Sequence, residues 1–282
     1  MDLDTIREVV IARERADLTL LGESAAVLAG GTFLFSEPQD QLVRLVDITT
    51  MGWPAFEVVD DGLEIAATCT LADFAGAAQG RELGAPVLRD QWPGTALFAQ
   101  SCRALLASHK IWRTATVGGN VCLALPAGAV LGALVALDGL ALVWAADGID
   151  RGIPLRDFVL GPGYTALRPC EVLRSIYLPQ SSLLAHTSFR KIALAPLGRS
   201  GALVMGRRDP DGRSAVTITA ATTKPVVLDF AAPPSDPELR DALDAIDTTL
   251  WFDDPHGSPE WRRHVAGLLA REVAGELRER AS

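Results

Sequence analysis

Two glycine-bearing segments, far apart in the chain, constrain this sequence more than any other feature. The first is Leu28-Ala29-Gly30-Gly31-Thr32 and the second is Thr116-Val117-Gly118-Gly119-Asn120. Each interrupts an apolar stretch with two residues that lack a Cβ, followed by a hydroxyl or an amide. Read as turns, both would let backbone N–H groups close on an anion with no side chain in the way. Together they would suit one long, doubly charged ligand, such as a dinucleotide pyrophosphate.

The text around them sets an α+β pattern. Ile6, Val9, Val10 and Ala12 suggest a short N-terminal helix, and Ala25 to Leu28 a buried strand entering the first glycine segment. Leu42 to Ile48 is a second apolar run. Glu57-Val58-Val59 and Leu63-Glu64-Ile65 flank the turn Asp60-Asp61-Gly62 as a hairpin. Thr70 is placed to cap a helix over Leu71 to Ala78. Helices are expected over Ala96 to Ala107 and Ala129 to Leu137, then a strand over Leu140 to Ala146.

From about residue 181 the texture changes. Ala202 to Arg208 and Ala215 to Ala221 form a hairpin around Asp209-Pro210-Asp211-Gly212. Ala231-Ala232-Pro233-Pro234-Ser235 is a linker. Ser258-Pro259-Glu260 opens a last helix, with Trp261, Val265, Leu268, Leu269, Val273 and Leu277 as its inward stripe.

Composition excludes several classes of function. The net charge of −9 and scattered basic residues oppose a nucleic-acid surface. The four cysteines, Cys69, Cys102, Cys122 and Cys170, have no C-x-x-C spacing, so metal and iron–sulfur sites are not expected and each reads as a small buried hydrophobe. His109, His186, His256 and His264 form no metal or triad pattern. The acidic N-terminus lacks a signal-peptide pattern, and the apolar run Val130 to Ala146 is broken at Asp138-Gly139. A cytoplasmic chain is expected. Neither G-x-G-x-x-G after the first strand nor G-x-x-x-x-G-K-[ST] is present, which disfavours a standard Rossmann or P-loop enzyme.

Ordered strings along nearly the whole length carry a family resemblance. They are Leu28-Ala29-Gly30-Gly31-Thr32, Leu45-Val46-Asp47-Ile48, Ser108-His109-Lys110-Ile111, Ala115 to Asn120 with Pro126 beyond, and Ala133 to Asp138. Pro154 to Phe158, Gly163-Tyr164-Thr165, Pro169 to Leu173, Phe189-Arg190-Lys191, Thr223 to Val226 and Ser258 to His264 follow in order. In these the chain resembles the FAD-binding medium subunit of the molybdenum hydroxylases, the carbon monoxide dehydrogenase and xanthine dehydrogenase family.

The resemblance implies a two-part PCMH-type FAD-binding domain over residues 1–180, followed by a C-terminal antiparallel sheet-plus-helices domain over 181–282. Noncovalent FAD would lie with its pyrophosphate between Leu28-Ala29-Gly30-Gly31-Thr32-Phe33-Leu34 and Thr116-Val117-Gly118-Gly119-Asn120. Thr32, Thr116 and Asn120 would add side-chain hydrogen bonds, Leu167 would line the cofactor cleft, and Lys191 would approach the flavin. The implied role is electron transfer without a catalytic acid or base. An iron–sulfur small subunit would hold two [2Fe–2S] clusters and a large subunit the molybdopterin, in a dimer of heterotrimers.

The chain also departs from the family pattern. Phe33 stands where an Asp, Ser or Glu is usual, and the connection from Thr32 to Asp47 is short. Leu125 and Ala129 replace the ends of Ser-Pro-x-x-Asp, whose Asp commonly holds the adenosine ribose, and Trp112-Arg113 replaces Arg-Asn. These departures keep two alternatives open: a degenerate subunit with weak or no FAD binding, and a stand-alone FAD-dependent oxidoreductase.

Overall fold

The structure, a computed structural model, describes residues 3–78 and 91–279. It begins with a small parallel sheet of β1 (Glu8–Ile11), β2 (Ala25–Leu28) and β3 (Arg44–Asp47), in the order β1-β3-β2. The N-terminal segment expected as a helix is therefore a strand. Val9, Val10 and Ile11 are β-branched and restricted at χ1. Their burial follows period two: Val10 packs inward with Ala12, while Val9 and Ile11 are exposed.

The second unit is a five-stranded antiparallel sheet in the order β4-β5-β10-β6-β7. Its strands are β4 (Phe56–Val59), β5 (Gly62–Ala66), β6 (Leu140–Ala145), β7 (Asp150–Pro154) and β10 (Glu171–Pro179). Val59 pairs with Gly62 across a two-residue turn, Asp60-Asp61. A two-stranded ribbon, β8 (Val159–Gly161) with β9 (Tyr164–Thr165), precedes β10. Between β5 and β6 run the helices α1 (Leu71–Ala77), α2 (Ala96–Ala104), α3 (His109–Trp112), α4 (Val117–Leu123) and α5 (Ala129–Ala136). Two single-turn helices, α6 (Leu155–Phe158) and α7 (Gln180–Leu183), fill corners.

Thr70 caps α1 as expected, accepting from the Asp73 N–H at 3.1 Å. The helix over residues 96–107 is shorter than expected. It ends at Ala104 where Leu105 turns extended, leaving Leu106 exposed.

The last unit is a four-stranded meander of β11 (His186–Ile192), β12 (Ala202–Arg208), β13 (Ser214–Thr219) and β14 (Val226–Phe230), with α8 (Asp236–Asp244) and α9 (Pro259–Glu279). Alternation along β12 assigns its side chains to two cores. Ala202 and Val204 face α9, whereas Leu203 and Met205 join the main core that includes α5. All eight residues of α5 are buried, and a Cβ on Gly132 would stand 2.6 Å from Thr219 Cγ2, so this helix lies tight against β13.

Polar ties fix this unit to the rest. Thr219 Oγ1 and the Ala220 N–H both donate to the Pro126 carbonyl, at 3.0 and 2.8 Å. Arg207 donates to Ala136 O at 3.0 Å and meets Asp138 at 2.5 Å. Arg156 bridges Asp138 and Asp229, each at 2.9 Å.

The inward stripe of α9 is corrected at one position. Leu268 is exposed, and the side chain buried instead is Arg262, only 1% accessible. Its guanidinium donates to Gly257 O at 2.9 Å, Gly201 O at 2.6 Å and Ala220 O at 2.5 Å, and pairs with Asp254. Full hydrogen bonding is the condition on which a buried cation is tolerated.

Candidate functional site

The first glycine segment leaves β2 with the Ile48 N–H donating to Leu28 O at 3.0 Å, while Ala29 packs against the small core that holds Leu18, Val46 and Ile48. Gly30 then meets another part of the chain. A Cβ there would fall 1.9 Å from Thr114 O and 3.0 Å from Ala115 Cα, so only glycine permits the approach. Thr114 and Ala115 lead directly into the second segment, and the two glycine segments are thereby neighbours in space.

Gly31 has φ +68°, in the left-handed region, and the chain curls over it: Phe35 N–H donates to Gly31 O and Ser36 N–H to Phe33 O, both at 2.8 Å. Among the described residues no protein acceptor is engaged by the N–H groups of Gly30, Gly31, Thr32, Phe33 and Leu34. All five residues are half-buried. Five consecutive donors without partners form a concavity suited to an anion, because backbone donors out of full solvent contact require an acceptor.

The second segment is built differently from the turn expected of it. Val117, Gly118, Gly119 and Asn120 are the first four residues of α4, and Thr116 is its N-cap, accepting from Gly119 N–H at 3.0 Å. The other leading donors are consumed as well. Val117 N–H reaches Cys69 O at 2.8 Å, Gly118 N–H reaches Ala67 O at 2.9 Å, and Asn120 N–H reaches Thr116 O at 3.0 Å. Gly118 is needed for packing, since a Cβ would lie 2.5 Å from that of Ala67. Within α4 itself the segment therefore has no spare backbone donor, and it offers a ligand the Thr116 N–H and hydroxyl proton, the positive end of a short helix dipole and the Asn120 amide.

Asn120 links this helix to the next. Its Oδ1 accepts from Leu131 N–H at 3.0 Å, supplying α5 with the cap that Gly128 has no side chain to provide, and leaves Nδ2 free to donate. Ala129 is fully buried at the first position of α5. It faces protein, so an acidic side chain here would not stand at a ligand surface. Leu125 belongs to the loop before α5, where its carbonyl accepts from Gly128 N–H at 2.8 Å.

Leu167 and Lys191 lie further along the same body. Leu167 is half-buried against the main core just after β9, and the N–H of Gly163, in the turn before that strand, donates to Ala124 O at 3.2 Å, at the far end of α4. Lys191 donates from Nζ to Ala104 O at 3.3 Å. That places its charge on the C-terminal end of α2, where a cation is favoured. Thr32 is half-buried in the donor run.

Sequence reasoning passed over Thr114 and Ala115, the surface that Gly30 requires, and Phe35, whose ring covers Gly31. Their only signal was position beside the glycine pairs. It also read both segments as turns, whereas the second is the first turn of α4, with the N–H groups of Val117 to Asn120 engaged within the protein.

The ionisable groups are arranged for structure. Burial pushes the Cys102 and Cys122 thiols up to about 12, and pushes the Cys69 thiol well above its ordinary value. Cys69 and Cys102 are buried as expected, whereas Cys122 and Cys170 are half-buried. Glu171 is buried, which by itself raises its pKa. The Arg151 guanidinium and the Arg168 N–H outweigh that and hold it below the usual carboxylate range. Among the described residues no cluster of three or more His, Cys, Asp or Glu side chains is placed to hold a metal. None of the described helices is long and apolar enough to cross a membrane.

A run of unpartnered backbone donors beside a short helix, in a chain with one parallel sheet and several antiparallel ones, defines an α+β protein with a candidate anion cradle. The family model described as FAD binding domain in molybdopterin dehydrogenase matches residues 5–181, and the chain belongs to that family. No curated protein matches the sequence. Solved structures share the fold over nearly full length. Reconstituted CO dehydrogenase from Oligotropha carboxidovorans superposes with a TM-score of 0.82 at 21% identity, covering 99% of this chain and 100% of the other. Quinoline 2-oxidoreductase from Pseudomonas putida 86 gives 0.80 at 17%, covering 100% and 99%. The Hydrogenophaga pseudoflava carbon monoxide dehydrogenase that lacks the Mo-pyranopterin moiety gives 0.79 at 18%, covering 99% of each chain.

Proposed function

We propose that this chain is the FAD-binding electron-transfer subunit of a molybdopterin-dependent hydroxylase or dehydrogenase. The observation that carries the reading is the run of five partnerless N–H groups from Gly30 to Leu34, inside the segment matched by the FAD-binding family. Bound there, FAD supplies the redox chemistry, which needs no acid or base from the protein.

The chain's own residues bind and position. The donors of Gly30 to Leu34 take the pyrophosphate oxygens, and the contact of Gly30 on Thr114 and Ala115 sets the cradle beside α4. Thr116 contributes a hydroxyl proton and Asn120 its Nδ2 amide. Thr219 and Ala220, through Pro126, hold the loop before α5 to the C-terminal unit. Residues 1–180 then form the cofactor domain and 181–282 the domain that closes on it, with Leu167 at the cleft and Lys191 towards the flavin.

Electrons would pass from the [2Fe–2S] clusters of a small partner subunit to an external acceptor. A large partner subunit would hold the molybdopterin, in a cytoplasmic dimer of heterotrimers. The burial of Ala129, which leaves the ribose without an acidic partner, favours a second reading in which the subunit keeps the fold and its place in the assembly but binds no flavin.

Purification of the chain alone and with its partner subunits, followed by an absorbance spectrum, decides between them. A flavin spectrum in both preparations is expected. A colourless chain inside a coloured iron–sulfur complex would establish the flavin-free subunit. A yellow monomer that turns over a substrate by itself would establish a stand-alone oxidoreductase.

A further inference from the structure

Among the described residues the exposed aromatic side chains are Phe35 and Tyr164, at 47% and 72% accessibility. Tyr164 sits on the short ribbon after β8. Phe35 sits on the same turn as the five free donors, and its place there is held from two directions. Its N–H donates to Gly31 O at 2.8 Å, and its ring covers the Gly31 α-carbon. A Cβ on Gly31 would stand 2.5 Å from Cε2 of that ring and 2.9 Å from Cδ2. One part of the ring rests on the cradle backbone and the rest faces outward.

A phenyl ring left half exposed is a cost in water, and the run of donors beside it awaits an anion. Both conditions are met by one ligand carrying a phosphate group and a flat heterocycle. We propose that Phe35 is a stacking platform for a planar ring of the dinucleotide whose phosphates the Gly30–Leu34 donors hold. The inference rests on the FAD-binding reading. It assigns to a side chain part of the orientation that the buried Ala129 does not supply. Offset stacking of an aromatic ring on a heterocycle is tolerant of which ring it meets, so either end of FAD satisfies the chemistry.

The test titrates FAD, FMN and ADP into the apo-protein for wild type, Phe35→Leu and Phe35→Tyr. Leucine keeps an apolar side chain at this half-exposed position, and the melting temperature of each apo variant reports folding separately. Phe35→Leu is expected to weaken FAD about tenfold, as loss of one stacked ring does, with Phe35→Tyr restoring it. A parallel loss for FMN, with brighter fluorescence of the bound flavin, identifies the isoalloxazine as the stacked ring. A parallel loss for ADP identifies the adenine. Equal FAD affinity in wild type and Phe35→Leu overturns the platform while leaving the cofactor reading standing. A wild-type chain that takes up no FAD overturns the cofactor reading, and this inference with it.

Discussion

Substituting Gly30 by alanine tests whether the contact between the two glycine segments builds the cradle. The added Cβ would lie 1.9 Å from Thr114 O, 2.7 Å from Thr114 C and 3.0 Å from Ala115 Cα. All three atoms are backbone, so no rotamer change relieves the overlap. To bring the oxygen contact to an ordinary 3.4 Å or more, the loop must move by about 1.5 Å. Overpacking of this kind costs about 1–3 kcal/mol, which a domain of ordinary stability, about 5–15 kcal/mol, survives.

The larger effect falls on the ligand. A donor displaced by about 1.5 Å no longer lies within hydrogen-bond range of a fixed phosphate oxygen. A hydrogen bond to a charged group contributes about 1.5–3 kcal/mol, so one lost bond lowers affinity roughly ten- to a hundred-fold. Fluorescence titration of FAD into the apo-protein reads the affinity, and a thermal melt reads the fold. Wild-type affinity in Gly30→Ala, within about twofold, would show that the approach to Thr114 does not shape the cradle.

Three further perturbations separate the other parts. Gly119→Asp places a carboxylate in the first turn of α4, where the helix dipole favours it and only Thr116 Oγ1 stands near the new Cβ; the melting temperature should hold or rise while FAD is lost, and full flavin content after gel filtration would remove the pyrophosphate from this helix. Ala129→Asp buries a carboxylate at a fully enclosed position and should destabilise the protein by at least about 1–3 kcal/mol; an unchanged melt with tighter FAD binding would instead place the residue on the ribose. Glu171 has a lowered pKa in the folded chain, so the unfolded chain binds the extra proton and the stability it gives is present above its ordinary value of 4.5 and lost as pH falls through and below it. Glu171→Gln should flatten that limb of a stability-versus-pH curve, and an unaltered limb would mean that other carboxylates carry it.

The residues show where local information sufficed and where it did not. The hairpin about Asp60-Asp61, the Thr70 cap and the Pro259 start of α9 were legible because each depends on groups only a few residues apart. The paired strands β12 and β13 were legible for a related reason: the turn Asp209-Pro210-Asp211-Gly212 lies between two short apolar runs. The pairs Gly30-Gly31 and Gly118-Gly119 were equally visible, since two residues without a Cβ at one point in a chain mark a close approach whatever will make it.

What will approach is decided only in three dimensions. The strand β1 was read as a helix because its apolar spacing suits either period; the paired edge of β3, far along the chain, settles it. Arg262 is buried in place of Leu268 because Gly201, Ala220 and Asp254 converge on its guanidinium. At the candidate site the two glycine segments look alike in sequence, yet Ala67 and Cys69 take up the leading donors of one, and nothing among the described residues takes up those of the other. A backbone N–H is the same group in every residue, so whether it is spent on the fold or left for a ligand depends on which carbonyl the tertiary structure brings within reach.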